Sequence, residues 1–307
     1  MRVLVTGVNG QLGHDMMLEL KRRKHEPIGS GSGPEYRGSD GVAAMPYEQM
    51  TITDAENVQA VLKKVQPDAV IHCAAWTAVD AAEDEENREK VFSLNVTGTR
   101  NIAEVCREIG AKMVYLSTDY VFDGQGTRPW QPDDKDYAPL NVYGQSKLEG
   151  EFAVRETLER AFIVRIAWVF GKNGKNFIRT MLNVAKTHDT VRVVNDQIGT
   201  PTYTADLARL LTDMIETDRY GCYHATNAET EPGAFISWYD FTCEIYRQAG
   251  WKVNVIPVST EEYGLSKAKR PFNSRLDKSK LLREGFQPLP DWKDALSRYL
   301  KEIDGEI

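Results

Sequence analysis

The 307-residue chain contains no apolar run of the roughly 18 residues that a membrane-spanning helix needs. Its start, Met1-Arg2-Val3-Leu4-Val5-Thr6-Gly7, turns glycine-rich before a secretory signal core could form, so a cytoplasmic location is expected. Cysteine is scarce: Cys73, Cys106, Cys222 and Cys243 are scattered, without the spacing of a metal-ligand pair or a dense disulfide framework, and read as buried, reduced thiols. The five histidines form no HExxH or related pair, and no metal ligand is assigned. There is no excess of positive charge. With 38 basic and 45 acidic residues the net charge is -7, which gives no general attraction to nucleic acid or an anionic membrane, so neither is an expected partner. Internal repeats and long low-complexity tracts are also missing. A content of 41% hydrophobic and 27% charged residues excludes disorder as the dominant state.

What remains is a globular pattern longer than one typical domain of roughly 100 to 200 residues. Short β-branched runs at Arg2 to Thr6, His25 to Ser30, Ala69 to Ala74, Met113 to Thr118 and Phe162 to Val169 alternate with amphipathic stretches. Leu12, Met16 and Leu20 repeat at helical spacing, as do Val91, Leu94, Gly98, Ile102 and Val105. Strand and helix alternation of this kind predicts a doubly wound, Rossmann-like α/β sheet. Residues 29–41 are rich in turn formers and predict an irregular loop after the second strand. The acidic run Glu83 to Glu86 sits near a helix start and reads as a solvated face. After Gly171 the alternation fades, with helices around Phe177 to Lys186 and Thr204 to Glu216 and a strand at Cys222 to Thr226. The expected division is a dinucleotide-binding domain over 1–170, with 200–226 packing back onto it, and a substrate subdomain from 171–199 and 227–307.

Gly7, Gly10 and Gly13 stand as GxxGxxG between the first strand and the first helix. Glycine allows the tight turn and close backbone approach that a pyrophosphate requires, and a helix N-terminus offers unpaired N–H groups. The end of the second strand, where a NAD-preferring site carries a carboxylate, holds Ser30, Gly31 and Ser32, with Arg37 nearby. This favours NADPH, whose 2'-phosphate Arg37 can pair with, while leaving NADH open. Tyr143 and Lys147 form YxxxK, one helical turn apart. Lowering a phenol from pKa 10 by about three units takes about 4 kcal/mol, and a cation at about 4 Å in an effective dielectric near 20 supplies about that amount. Thr118 ends a strand upstream, on the side of the sheet where the glycine turn also lies. Asn95, among Leu94 and Gly98, reads as a buried amide that bonds backbone.

Taken together these pieces resemble the extended short-chain dehydrogenases/reductases, and specifically the dTDP-4-dehydrorhamnose reductase family, over essentially the whole chain. The resemblance is carried by the glycine turn with Gln11-Leu12-Gly13, by Cys73-Ala74-Ala75-Trp76-Thr77-Ala78-Val79-Asp80, and by Ser117 to Gly124 with Tyr143 and Lys147. Val194-Asn195-Asp196-Gln197-Ile198-Gly199-Thr200-Pro201-Thr202 and Arg270-Pro271-Phe272-Asn273-Ser274-Arg275-Leu276 are more specific still. It implies NADPH-dependent reduction of the C4 ketone of dTDP-4-dehydro-L-rhamnose to dTDP-L-rhamnose. Tyr143 is then the proton donor, Lys147 its partner and ribose ligand, and Thr118 the hydroxyl that tunes tyrosine and substrate. Implied cofactor contacts are Gly7, Gly10, Gln11, Leu12, Gly13, Ser30, Arg37, Thr51, Ile52, Ala74, Ala75, Trp76, Thr77, Tyr143 and Lys147. The nucleotide-sugar substrate falls to Thr118, Asp119, Trp168, Arg270 and Arg275. The family often has aspartate where this chain has Thr51, and often a charged residue after the second strand. Some members bridge a homodimer through Mg2+, for which no ligands are assigned here. A nucleotide-sugar epimerase or dehydratase, or a non-catalytic NADP-binding regulatory subunit, are the alternatives.

Overall fold

The structure is a computed structural model that describes residues 1–38 and 42–306. Arg2–Thr6 (β1) buries four of its five residues and Ala69–His72 (β4) all four, because each lies between helices on both faces of a parallel sheet. With Glu26–Gly31 (β2), Tyr47–Gln49 (β3), Lys112–Thr118 (β5), Ala161–Ile166 (β6) and the strand Gly221–His224, they form one seven-stranded sheet. Its order is β3-β2-β1-β4-β5-β6 and then Gly221–His224, with every pairing parallel. The chain reverses direction across the sheet between β1 and β4, which opens a crevice at their carboxyl ends.

Two apolar layers cover the sheet. On one face Gln11–Arg22 (α1) meets Thr204–Ile215, through Leu12, Met16, Leu20, Leu207 and Leu211. On the other lie Ala55–Val65 (α2), Gly98–Ile109 (α4) and Val142–Thr157 (α5), with Val58, Leu62, Ile102 and Val154 in the core; Glu85–Phe92 (α3) leads into α4. A third core joins Phe177–Ala185 (α6), Trp238–Ala249 and Trp292–Glu302 around Phe170, Tyr203, Phe241 and Tyr299. Arg298 reaches from that layer to the buried Asp206 with two bonds of 2.8 and 2.7 Å, locking the C-terminal helix to Thr204–Ile215.

Several local readings change in three dimensions. The second strand runs one residue past Ser30 into the expected loop: Gly29 and Ser30 pair on both sides and Gly31 with Gln49 of β3, and a Cβ on Gly29 would lie 3.2 Å from Val8. Residues 39–41 of the expected loop lie outside the described residues. β6 stops at Ile166, since Trp168 takes a left-handed φ of 51°. Cys106 and Cys222 are buried, but Cys73 and Cys243 are only half-buried; all four are free. The acidic run is not merely solvated: Glu83 accepts the Val142 N–H at 2.7 Å and Asp84 pairs with Lys267. No described helix is long and apolar enough to cross a membrane.

Glycine at position 13 is imposed by packing, because a Cβ there would sit 2.3 Å from the Gly7 carbonyl oxygen, whereas one on Gly10 would stand 3.3 Å from it. Gly13→Ala should cost about 1–3 kcal/mol, as overpacking usually does, and lower Tm by several degrees. Gly10→Ala should cost much less. Thermal unfolding of both variants checks this, and equal shifts would contradict it.

Candidate active site

The glycine turn, the ends of β4 to β6 and the start of α5 surround one cavity of about 780 Å³. Gly7 has φ +68°, a backbone state that strains other residues, and bends the chain toward α1. Gly10 precedes α1 with no side-chain cap, which leaves the first helical N–H groups facing the cavity. Gly7, Gly10, Gln11, Leu12 and Gly13 line one part of it, and Ser30, Thr51 and Ile52 another. Ser30 is buried with its hydroxyl unpartnered.

A hydrogen-bond chain fixes the floor. The Thr6 hydroxyl accepts from the Ala74 N–H at 3.1 Å and lies 2.8 Å from His72 Nδ1. The Thr99 hydroxyl donates to the Asn95 carbonyl, so His72 Nε2, 3.2 Å away, is the donor to Thr99, and Nδ1 accepts from Thr6. Burial, helped by the Lys147 charge, pulls His72 down to about 3 and keeps it neutral. Asn95 lies in a π-helical turn, Ser93–Thr97, between α3 and α4. Its Oδ1 accepts the Trp76 N–H at 2.8 Å, and its Nδ2 donates to the Trp76 carbonyl at 3.2 Å and Ser146 Oγ at 2.8 Å. The amide thus bonds backbone, as its apolar neighbours implied, and ties the Ala74 to Thr77 segment to α5.

Asn141 caps α5, accepting the Gly144 N–H at 2.7 Å, and aims Tyr143 and Lys147 into the cavity. The Tyr143 ring packs edge-on against Tyr120, with centroids 5.7 Å apart. Burial raises its pKa above the ordinary phenol value, opposite to the lowering expected from Lys147; the Thr118 hydroxyl works against that rise and Asp119 adds to it. Lys147 is 4% exposed, and its ammonium lies over the Tyr115 ring, 4.1 Å from the centroid. Burial lowers it to about 7, opposed by Glu151 and Cys73. Thr118 donates to Asp119 Oδ1 at 2.9 Å, while Asp119 Oδ2 is buried without a partner. Burial pushes that carboxyl up to about 6, against hydrogen bonds from Ser274 and Thr118.

Trp168 closes the far wall. Its ring stacks on Trp238 with centroids 3.8 Å apart, and both line the cavity. Ala74, Ala75 and Thr77 line it as well; Trp76 does not, its indole N–H turning to the Ala78 carbonyl at 3.0 Å. Arg37, Arg270 and Arg275 also lie off the lining. Arg37 is exposed and 3.8 Å from Glu35; Arg270 pairs with Asp80 at 2.6 Å, its Nη1 buried without a partner; Arg275 donates to Asn273 at 3.0 Å. Sequence reasoning missed Trp238, Asn173 and Lys175, which line the cavity from segments that share no spacing with the motifs, and His72, which directly precedes the Cys73 to Asp80 motif. Only Ser237 carries a local signal, a capping box with Asp240 that marks the helix start beside Trp238. Among the described residues no group of three or more His, Cys, Asp or Glu could hold a metal ion.

Residues 1–304 match the family described as RmlD substrate binding domain. The chain is 38% identical to the spore coat polysaccharide biosynthesis protein SpsK of Bacillus subtilis, covering 98% of this chain and 97% of that one. It is 36% identical to a dTDP-4-dehydrorhamnose reductase of Streptomyces griseus, covering 99% and 94%. A crystal structure of the Bacillus anthracis dTDP-4-dehydrorhamnose reductase in complex with NADP superposes with a TM-score of 0.86, at 39% identity and with 98% and 99% of the chains covered. The Thermus thermophilus UDP-glucose 4-epimerase, at 20% identity and a TM-score of 0.80, shares the fold. The sheet order, the cleft and this full-length similarity place the chain in the dTDP-4-dehydrorhamnose reductase family.

Proposed function

We propose that the protein reduces the C4 ketone of dTDP-4-dehydro-L-rhamnose to dTDP-L-rhamnose at the expense of NADPH. The observation that carries this reading is the meeting of Thr118, Tyr143 and Lys147 with the glycine turn in a single cavity. The names of the relatives support the substrate, and the NADP bound to the Bacillus anthracis protein supports the cofactor. The chain fits such a cofactor on its own terms: the N-terminus of α1 has no side-chain cap, and the buried Ser30 hydroxyl at the adenosine end lacks a partner. When bound, a reduced nicotinamide supplies hydride to the ketone carbon.

The protein's part is position and a proton. Gly7, Gly10, Gln11, Leu12 and Gly13 offer N–H groups and close approach to the pyrophosphate, Ser30, Thr51 and Ile52 flank the adenosine, and Ala74, Ala75 and Thr77 border the middle of the cofactor. Arg37 is assigned the 2'-phosphate. Tyr143 donates its phenolic proton to the C4 oxygen. A phenol raised by burial stays protonated at neutral pH, which suits a donor in the reductive direction, since the alkoxide formed is the stronger base. Thr118 directs that exchange, and Lys147 holds a cation beside it. Trp168 and Trp238 supply an apolar wall for the hexose and Asp119 Oδ2 an acceptor for a sugar hydroxyl, while Arg270 and Arg275, which lie off the lining, would have to turn from Asp80 and Asn273 to meet the diphosphate.

Purified protein given the dTDP-linked 4-ketosugar should consume one NADPH per dTDP-L-rhamnose formed. Product without net cofactor consumption would point to an epimerase, and NADPH binding without turnover to a regulatory subunit. Tyr143→Phe should lower kcat by roughly 100- to 10,000-fold while NADPH affinity, measured by fluorescence titration, persists. The ratio of kcat/KM values should favour NADPH over NADH, and Arg37→Ala should shrink it; an unchanged ratio removes the arginine's role. Asp119 gives a stability test. Its folded-state pKa of about 6 exceeds the ordinary 3.8, so its contribution is present at low pH and is lost as pH rises through about 6. Asp119→Asn should therefore raise Tm near pH 8 by the equivalent of up to about 2–3 kcal/mol and much less near pH 4; equal shifts at both would refute the assignment.

A further inference from the structure

We infer that Glu151 is a positioning residue for the reaction: buried one helical turn beyond Lys147, its carboxylate anchors α5 to the end of β5 and serves as the counter-charge of the Lys147 ammonium. This rests on the reading of Thr118, Tyr143 and Lys147 given above. Tyr143, Lys147 and Glu151 follow one another at i, i+4 and i+8 on α5, and Glu151 is 0% exposed. Both carboxylate oxygens are engaged. Oε1 accepts from Ser117 Oγ at 2.6 Å and Arg165 Nε at 2.8 Å, and Oε2 from Arg165 Nη2 at 2.7 Å and Arg155 Nη2 at 3.3 Å. Ser117 immediately precedes Thr118 on β5. Arg165, itself 0% exposed on β6, donates further to the Pro132 carbonyl at 3.3 Å and the Tyr137 hydroxyl at 3.1 Å, and its Nη1 lies 3.4 Å from His224 Nε2. One carboxylate therefore joins the helix bearing Tyr143 and Lys147, the strand bearing Thr118 and the strand that leads to Trp168.

Stability does not account for such a pair. Two apolar side chains of similar volume serve a core as well as a buried ion pair or better, because each charge loses its hydration. Its location does. The groups facing Lys147 are His72 and Cys73 at the end of β4, Tyr115 on β5 and Glu151 on α5, with Tyr143 one turn before it. His72 is neutral, the Cys73 thiol is pushed up to about 12 by burial, and the phenols of Tyr115 and Tyr143 are raised, so Glu151 is the anion among them at neutral pH. Arg165 and Arg155 hold its carboxylate ionised. Asp119 adds charge at the Tyr143 side. Glu151 is the leading influence that opposes the loss of the Lys147 proton to burial.

The test measures kcat and KM for NADPH and for the nucleotide ketosugar from acid to alkaline pH in Glu151→Gln, Glu151→Asp and the double variant Glu151→Gln/Arg165→Met. Glu151→Gln should move the alkaline limb of kcat/KM down by about one pH unit or more, the size of a lost neighbouring charge. Activity then falls roughly tenfold near pH 8 and recovers toward pH 6, with KM for the sugar little changed. Glu151→Asp should keep the limb in place. The double variant, which leaves no unpaired buried charge, should regain thermal stability but retain the shifted limb, and it carries the test if Glu151→Gln fails to fold. A parallel loss at every pH, or a wild-type profile in the double variant, would overturn the inference. Lys147→Ala separates the two levels: if it keeps turnover, the catalytic reading fails; if it abolishes turnover while the Glu151 variants keep the wild-type profile, only the role of Glu151 fails.

Discussion

The close seating of α5 on the end of β5 is the constraint on which the site depends. Gly144 and Gly150 have no room for a side chain: a Cβ on the first would lie 2.4 Å from the Tyr120 carbonyl oxygen, and on the second 2.1 Å from the Tyr115 hydroxyl. That hydroxyl in turn donates to the Lys147 carbonyl at 3.1 Å. The helix is thereby held at a separation that brings the Thr118 hydroxyl within reach of the Tyr143 phenol and lays the Lys147 ammonium across the Tyr115 face. A helix one side chain further out would keep the YxxxK spacing and lose the convergence.

Burial then does the chemical work. Parallel strands covered on both faces exclude water from the floor of the crevice, and the ionisable groups there respond in opposite directions by one cause: acids rise, bases fall. His72 becomes a neutral link in a hydrogen-bond chain, the Tyr143 phenol stays protonated, and Lys147 falls to about 7. Perturbed groups of this kind gathered in one cleft are the usual mark of a functional site. The sheet reversal between β1 and β4 puts an uncapped helix end beside them.

Residues from the later part of the chain complete the cleft. Trp238 stacks on Trp168, Asn173 donates to the Asn9 carbonyl at 3.0 Å, and Asp80 receives the N–H groups of Lys267 and Ala268 as well as Arg270. Cavity-lining side chains thus come from segments more than a hundred residues apart in the chain, as Thr118 and Trp238 do, and polar contacts tie the later segments to the first half.

The architecture was legible locally, because a strand buried on both faces must be continuously apolar and a helix on its surface must repeat every three to four residues. Hence β1, β4, β5 and α1 appear where the side-chain pattern puts them, and the glycine turn is marked by Gly7, whose φ is +68°, and Gly13, which has no room for a Cβ. β3 escaped notice, since three polar residues on a sheet edge need no pattern. So did the place of Gly31 at the end of β2, where a Cβ would lie 3.1 Å from the Tyr47 hydroxyl. Motif spacing could bring Tyr143 and Lys147 to one helix face, but spacing holds no information on dielectric. That Lys147 lies over Tyr115, that Arg270 turns to Asp80, that Trp168 is left-handed against Trp238, and that Glu151 meets Arg165 were decided by tertiary packing alone, because each pairs residues whose proximity arises only when separate strands and helices close over the same buried space.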